Sequence, residues 1–237
     1  MSGSFRSYLQ LMRLKNVLLA AITVPLGAQF AIGDEWVSDQ LAEVVLQILA
    51  VVFFIGAGNT MNDIKDVAID REAHPNRPLA SGAISLDSAN KFVKLLWTLS
   101  IICVVAGAYL LTTSQHSAIE LIAIYVIAIT LMITYDHGPS LKNTGLKGNI
   151  SISIMVGAVI LYGASSVGQL WNTLVWWTAG VVFFTNLARE IIKDCADMEA
   201  DKGTRQTLPM SIGLLKSRMT AYAVSYTHLT LPTILLV

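Results

Sequence analysis

Apolar residues run along this chain in long blocks, and short polar stretches punctuate them. The blocks predict seven membrane-spanning helices, over residues 17–32, 41–58, 92–112, 118–135, 150–165, 170–188 and from 208 to the end. Each approaches the ~20 residues a helix needs to cross a bilayer. The fold class implied is all-α: a polytopic integral membrane helical bundle, forming one transmembrane domain over residues 1–223.

The polar stretches differ from one another. The longest connection covers residues 59–91. It begins as a helical extension of the second span and breaks at His74-Pro75-Asn76-Arg77-Pro78, because proline ends a helix and biases its predecessor away from helical geometry. Ser81-Gly82 continues the loop, and Leu86-Asp87-Ser88 opens the next helix. Residues 189–203 repeat the layout: a helix leaves the membrane carrying acids, meets Gly203 and returns near Leu208-Pro209.

Charge sharpens this picture. Only 14% of residues are charged, against about 25% in a soluble domain. All 16 Lys and Arg fall in alternate connections, while residues 34–36, 113–117 and 165–169 carry none. The positive-inside rule then places the basic loops in the cytoplasm. The first apolar block is long and lacks a small-residue cleavage site, so it does not read as a cleavable signal. Cys103 and Cys195 have no second thiol at metal-ligand spacing, which points away from zinc and disulfides. The string VSYTHLTLPT over residues 224–233 resembles an in-frame translation of a sequencing-library adapter. The expectation is that native sequence stops near Ala223 and that 224–237 is a foreign tail.

The basic loops also hold two acidic clusters. The first contains Asn62, Asp63, Asp66 and Asp70; the second contains Asp194, Asp197 and Asp201, with Glu190 one turn earlier. Spacings of three and four residues put side chains on one helix face: Asn62, Asp66 and Asp70 fall at i, i+4 and i+8, with Asp63 one position off that stripe. Facing sets of this kind suit Mg²⁺, which takes oxygen ligands at about 2.1 Å and commonly shares them with substrate phosphates. Arg71, Arg77, Lys142, Lys193, Lys202 and Arg205 are candidates for phosphate oxygens the metal does not reach. With an allylic diphosphate, the metal would neutralise charge growing on the leaving group. An intramembrane cavity would keep water from the allylic cation. Phe53, Phe54, Tyr125, Tyr135, Phe183 and Phe184 are candidates by position for cation–π contact with it, plain packing being the commoner role of any one of them. A cation-coupled transporter fits less well, since transporters keep ionisable groups near the membrane midplane and every span here lacks charge in its middle. A non-catalytic scaffold leaves two matched acid clusters without a purpose.

Asn62-Asp63-x-x-Asp66-x-x-x-Asp70-Arg71, followed by Asn76-Arg77-Pro78-Leu79-Ala80-Ser81-Gly82, resembles the first motif of the UbiA superfamily of intramembrane prenyltransferases. Asp197-x-x-x-Asp201 resembles the second. The resemblance implies a ring of nine membrane helices, of which seven are present here. It implies Mg²⁺ bridging both motifs and a prenyl diphosphate, with Asn62, Asp66, Asp197 and Asp201 as ligands. Asp63, Asp70 and Asp194 would support them, Asp70 as part of the catalytic set. Arg13, Arg71, Arg77, Tyr135, Lys142 and Lys193 would bind substrate. Arg189-Glu190-Ile191-Ile192-Lys193-Asp194 and Lys147-Gly148-Asn149 look like the members that build archaeal-type ether lipids. Those transfer a geranylgeranyl group to geranylgeranylglyceryl phosphate. An aromatic acceptor of the 4-hydroxybenzoate or homogentisate type is the alternative. The partners implied are these two substrates and the lipid bilayer, with no nucleic acid.

Overall fold

The computed structural model describes residues 4–33, 40–136, 140–199, 201, 203 and 205–234. Its helices are α1 (Phe5–Leu11), α2 (Leu14–Ile32), α3 (Leu41–Lys65), α4 (Val67–Ala73), α5 (Leu86–Thr113), α6 (Ile119–Asp136), α7 (Leu146–Ser165), α8 (Thr173–Asp197), α9 (Leu208–Ile212) and α10 (Leu214–Ile234). A short 3₁₀ turn occupies Leu141–Asn143. The all-α expectation holds, and each predicted span coincides with a long helix. The seventh is the exception in detail. It does not run unbroken from Leu208, because Gly213 at φ 85° separates α9 from α10, a backbone conformation natural only to glycine.

Among the described residues four helices, α2, α3, α5 and α7, are long and apolar enough to cross a membrane, and α6 is apolar but shorter. That is fewer than the seven the apolar blocks predict. The last turns of α8 carry Arg189, Glu190, Lys193, Asp194 and Asp197, and α10 opens with Lys216 and Arg218. Polar residues therefore dilute both. The protein is an integral membrane protein.

The chain divides into two compact units. The first comprises Met1–Ile122 with Gly163–Gln169. Here α3 packs along α5 and α2. Lipid tails are as apolar as leucine, so helices in a bilayer associate through close packing and hydrogen bonds rather than through escape from water. Both devices are visible. Ser100 Oγ donates to the Ala50 carbonyl at 2.8 Å across the α3–α5 contact. A Cβ on Gly56 would stand 2.7 Å from Met12 Cε, so the chain bend before α2 sits flush on α3. Tyr8 and Phe92 meet edge to face at 4.8 Å, within a core that includes Leu11, Met12, Ala57, Leu79 and Ile84.

The second unit comprises Ala123–Tyr162 with Leu170–Val237. There α8 packs on α10 around Leu187, Ala188, Ile191 and Ala221. A Cβ on Gly157 would approach the Ala179 carbonyl to 3.0 Å, so α7 and α8 also run close. The exposed rings of Trp171 and Trp176 stack at 5.8 Å where α8 begins. Exposed tryptophans gather at the headgroup level of a bilayer. From Trp176 to Asp194 is 18 helical positions, about 27 Å at 1.5 Å per residue, close to the ~30 Å hydrocarbon thickness. The tryptophans and the acids thus stand toward opposite ends of α8.

Candidate active site

In the first unit the acids stand where α3 hands over to α4. Asp66 has left helical geometry slightly (φ −90°, ψ 7°). Its N–H still donates to Asn62 O at 2.9 Å, and Asp70 N–H to Asp66 O at 2.8 Å. The four-residue register of the motif therefore survives the bend. His74 N–H donates to Asp70 O at 2.8 Å and closes α4 ahead of Pro75. Ser85 caps α5, accepting from Ser88 N–H at 3.2 Å, one position before the opening read from sequence.

The acids do not act as one stripe. Asn62 and Asp66 are half-buried, whereas Asp63 and Asp70 are only 3% and 5% exposed. Arg13 Nη2 donates to Asp63 Oδ1 at 2.7 Å. Arg77 Nη1 donates to both Asp70 oxygens at 2.7 Å and lies 3.8 Å from Asp63 Oδ1. Asp70, placed by spacing with Asn62 and Asp66, is thus tied to an arginine. Buried carboxylates demand such partners, because an unpaired buried charge is strongly unfavourable.

Arg13 sits at the bend between α1 and α2 with a left-handed backbone (φ 55°, ψ 64°). Asn59 Nδ2 donates to the carbonyl of Met12 at 2.8 Å, one turn of α3 before Asp63. One helix face therefore fixes both the backbone and the guanidinium of this bend. Arg13 and Arg77 line an open cleft of about 420 Å³ with Gln10, Asp63, His74 and Asn76. Arg71 is exposed on α4.

In the second unit Asp194 accepts a hydrogen bond from Asn149 Nδ2 of α7 at 2.8 Å. Ser153 Oγ donates to Asn149 O at 2.6 Å, and Asn186 Nδ2 donates to Ser153 Oγ at 3.1 Å. A polar thread thus joins α7 to α8 for two turns. Asp194 lies beyond the apolar stretch of α8, and burial pushes its carboxyl above the usual range. The Asn149 bond opposes that rise, Asp201 and Glu190 add to it, and Lys193 opposes it. Asp197 is exposed; Asp201 is half-buried, 3.9 Å from Arg205 Nε. Arg189 pairs with Glu190, and Lys193 is exposed. Lys142, half-buried, rides on the 3₁₀ turn, held by close approach: a Cβ on Gly148 would come within 2.5 Å of Leu141 O. Tyr135, near the end of α6, is half-buried.

Within neither unit do three His, Cys, Asp or Glu among the described residues converge on one metal position. The oxygen-only donor pairs Asn62/Asp66 and Asp197/Asp201 nevertheless suit magnesium that also takes phosphate oxygens. Of the aromatic candidates, Phe54 packs on Trp97 at 5.3 Å, and Phe183 belongs to the α8–α10 core. Asn59, Gln10 and the roles of Asn149 and Ser153 escaped the sequence reading. Their signal was weak: single amides or hydroxyls in apolar surroundings, meaningful only once their partners are known. Lys202 lies outside the described residues.

The model of the UbiA prenyltransferase family matches residues 20–237. The digeranylgeranylglyceryl phosphate synthase of Pyrococcus furiosus is 34% identical over 218 residues, 91% of this chain and 72% of that protein. That of Methanosarcina mazei is 34% identical over 229 residues, 92% of this chain and 74% of the relative. A solved structure from work on digeranylgeranylglyceryl phosphate synthase in membranes superposes with a TM-score of 0.75 at 28% identity, covering 97% of this chain and 77% of that one. A UbiA homologue from Archaeoglobus fulgidus bound to GPP and Mg²⁺ gives 0.72 at 20% identity, over 94% and 75%. By a match across nearly its whole length, this chain belongs to the UbiA prenyltransferase family.

Proposed function

We propose that this protein transfers a geranylgeranyl group from geranylgeranyl diphosphate to the free hydroxyl of geranylgeranylglyceryl phosphate, forming an ether lipid. The observation that carries this is the 34% identity over 91% of the chain to a relative named for that product. The donor sets support it, since each acidic helix end offers a pair of oxygen ligands four residues apart: Asn62 with Asp66, and Asp197 with Asp201. When bound there with the diphosphate, Mg²⁺ supplies charge neutralisation for the leaving group. In the reaction the C1–O bond breaks, and diphosphate departs with its electron pair. The acceptor oxygen bonds to C1, and its proton passes to solvent or a carboxylate. Arg71, Lys142, Lys193 and Tyr135 orient phosphate oxygens, and the apolar helices shield the reacting carbon from water. The basic loops put these groups on the cytoplasmic side. Residues 1–223 hold every group named in this reading.

The test is prenyl transfer by the membrane-reconstituted chain, with each acceptor in turn. Ether product from geranylgeranylglyceryl phosphate, abolished by EDTA and restored by Mg²⁺, is expected. Product from 4-hydroxybenzoate or homogentisate alone would replace this reading with aromatic prenylation.

A further inference from the structure

The first acidic motif holds more carboxylate than magnesium requires, and the surplus is engaged elsewhere. Asp63 and Asp70 are the buried pair, and arginine nitrogens stand 2.7 Å from their oxygens. A carboxylate already filled by a guanidinium is a poor ligand for a second cation, since the arginine repels it. The arginines, in contrast, are only half used. Arg13 engages its carboxylate through Nη2 and Arg77 through Nη1. Among the described residues no further hydrogen bond is made by either guanidinium, and 35% of each side chain stays exposed. Both line the same open cleft of about 420 Å³, together with Gln10, His74 and Asn76.

We propose that this cleft is a metal-independent binding site for a terminal phosphate, formed by Arg13 and Arg77 and held in shape by Asp63 and Asp70 as positioning residues. Arginine's planar fork matches phosphate oxygens two at a time. Two arginines and two aspartates sum to no net charge, so attraction at long range is weak. Recognition comes from donors aimed in advance, and fixing them beforehand is what raises affinity. The left-handed backbone at Arg13, clamped by Asn59, and the doubly held Arg77 are both fixed in this sense. The natural occupant is the phosphate of the lipid acceptor, and this identification rests on the function proposed above. The shared chemistry also admits the end of a prenyl diphosphate.

The experiment titrates the chain in nanodiscs with geranylgeranylglyceryl phosphate, the same lipid without phosphate, glycerol phosphate and geranylgeranyl diphosphate, all in EDTA. Mn²⁺ binding is followed separately by electron paramagnetic resonance. Wild type is expected to prefer the phosphorylated acceptor at least tenfold over its dephosphorylated form. Arg13→Gln and Arg77→Gln each remove most of that preference. Arg77→Lys keeps the charge, folds like wild type and still loses it. Asp70→Asn weakens it three- to tenfold, and Asp70→Asn with Arg77→Gln is no weaker than Arg77→Gln alone. Asp66→Asn leaves it intact but weakens Mn²⁺ tenfold or more, while Asp70→Asn moves Mn²⁺ by less than twofold. Loss of Mn²⁺ in Asp70→Asn to match Asp66→Asn would overturn the assignment. So would phosphate binding that appears only with metal. If the arginine variants weaken only the diphosphate, the cleft serves the donor and the acceptor assignment falls. Should wild type bind glycerol phosphate in EDTA through Arg77 yet transfer no prenyl group to the acceptor, the cleft stands and the proposed reaction fails.

Discussion

The two acidic helix ends share a sequence spacing and differ in how they tolerate buried charge. At the end of α3 the buried acids face guanidinium groups, Asp63 with Arg13 and Asp70 with Arg77. At the end of α8 the half-buried acid, Asp194, faces a neutral amide, Asn149. A guanidinium brings a full charge to its carboxylate; an amide brings only one hydrogen bond, and burial pushes the carboxyl of Asp194 up. Similar motifs therefore rest on different supports: one end is an ionic lattice, the other a polar thread.

The largest effect expected is common to both ends. Asp66→Ala and Asp197→Ala should each lower Mg²⁺-dependent turnover roughly a thousandfold, about 4 kcal/mol of barrier, with unchanged membrane insertion. Unequal losses would show that only one end meets the metal. Next, Arg77→Ala leaves Asp70 buried without its cation, which should cost roughly 3 kcal/mol of stability in thermal melts. Asn149→Ala removes a neutral donor and should cost less, roughly 2 kcal/mol. The sharpest contrast is one of sign. Asp70→Asn should lower the melting temperature, because it strands Arg77. Asp194→Asn should leave it level or raise it, because burial disfavours that charge. The smallest effect is expected at the exposed Asp87–Lys91 pair on α5, where Lys91→Ala should not measurably shift the melt.

Much of the fold was legible because hydrophobic length is a blunt, robust signal. The blocks marked seven helices, His74-Pro75 marked the end of α4, and the acidic motifs fell at helix ends as read. What stayed hidden was pairing. Nothing local says that Asp63, rather than Asp66, reaches Arg13 fifty residues away, or that Asn59 holds the Met12 carbonyl. The i, i+4, i+8 stripe grouped Asp70 with Asn62 and Asp66, yet Asp63 and Asp70, seven apart, share the arginine side. A heptad separation also returns to one face, so spacing alone allowed both groupings. Gly213 was visible as a letter but not as a break, since glycine also occurs within membrane helices.

The left-handed bend at Arg13 places two demands on one position. A backbone at φ 55° costs most side chains some free energy. Glycine would relax it at once, and asparagine would adopt it readily. Either replacement would silence the guanidinium that answers Asp63. Lysine would keep a charge yet lose the planar fork. Drift at this position is thus hemmed in on two sides, by torsion and by headgroup shape, and a survey of all nineteen substitutions there should reveal no silent exchange.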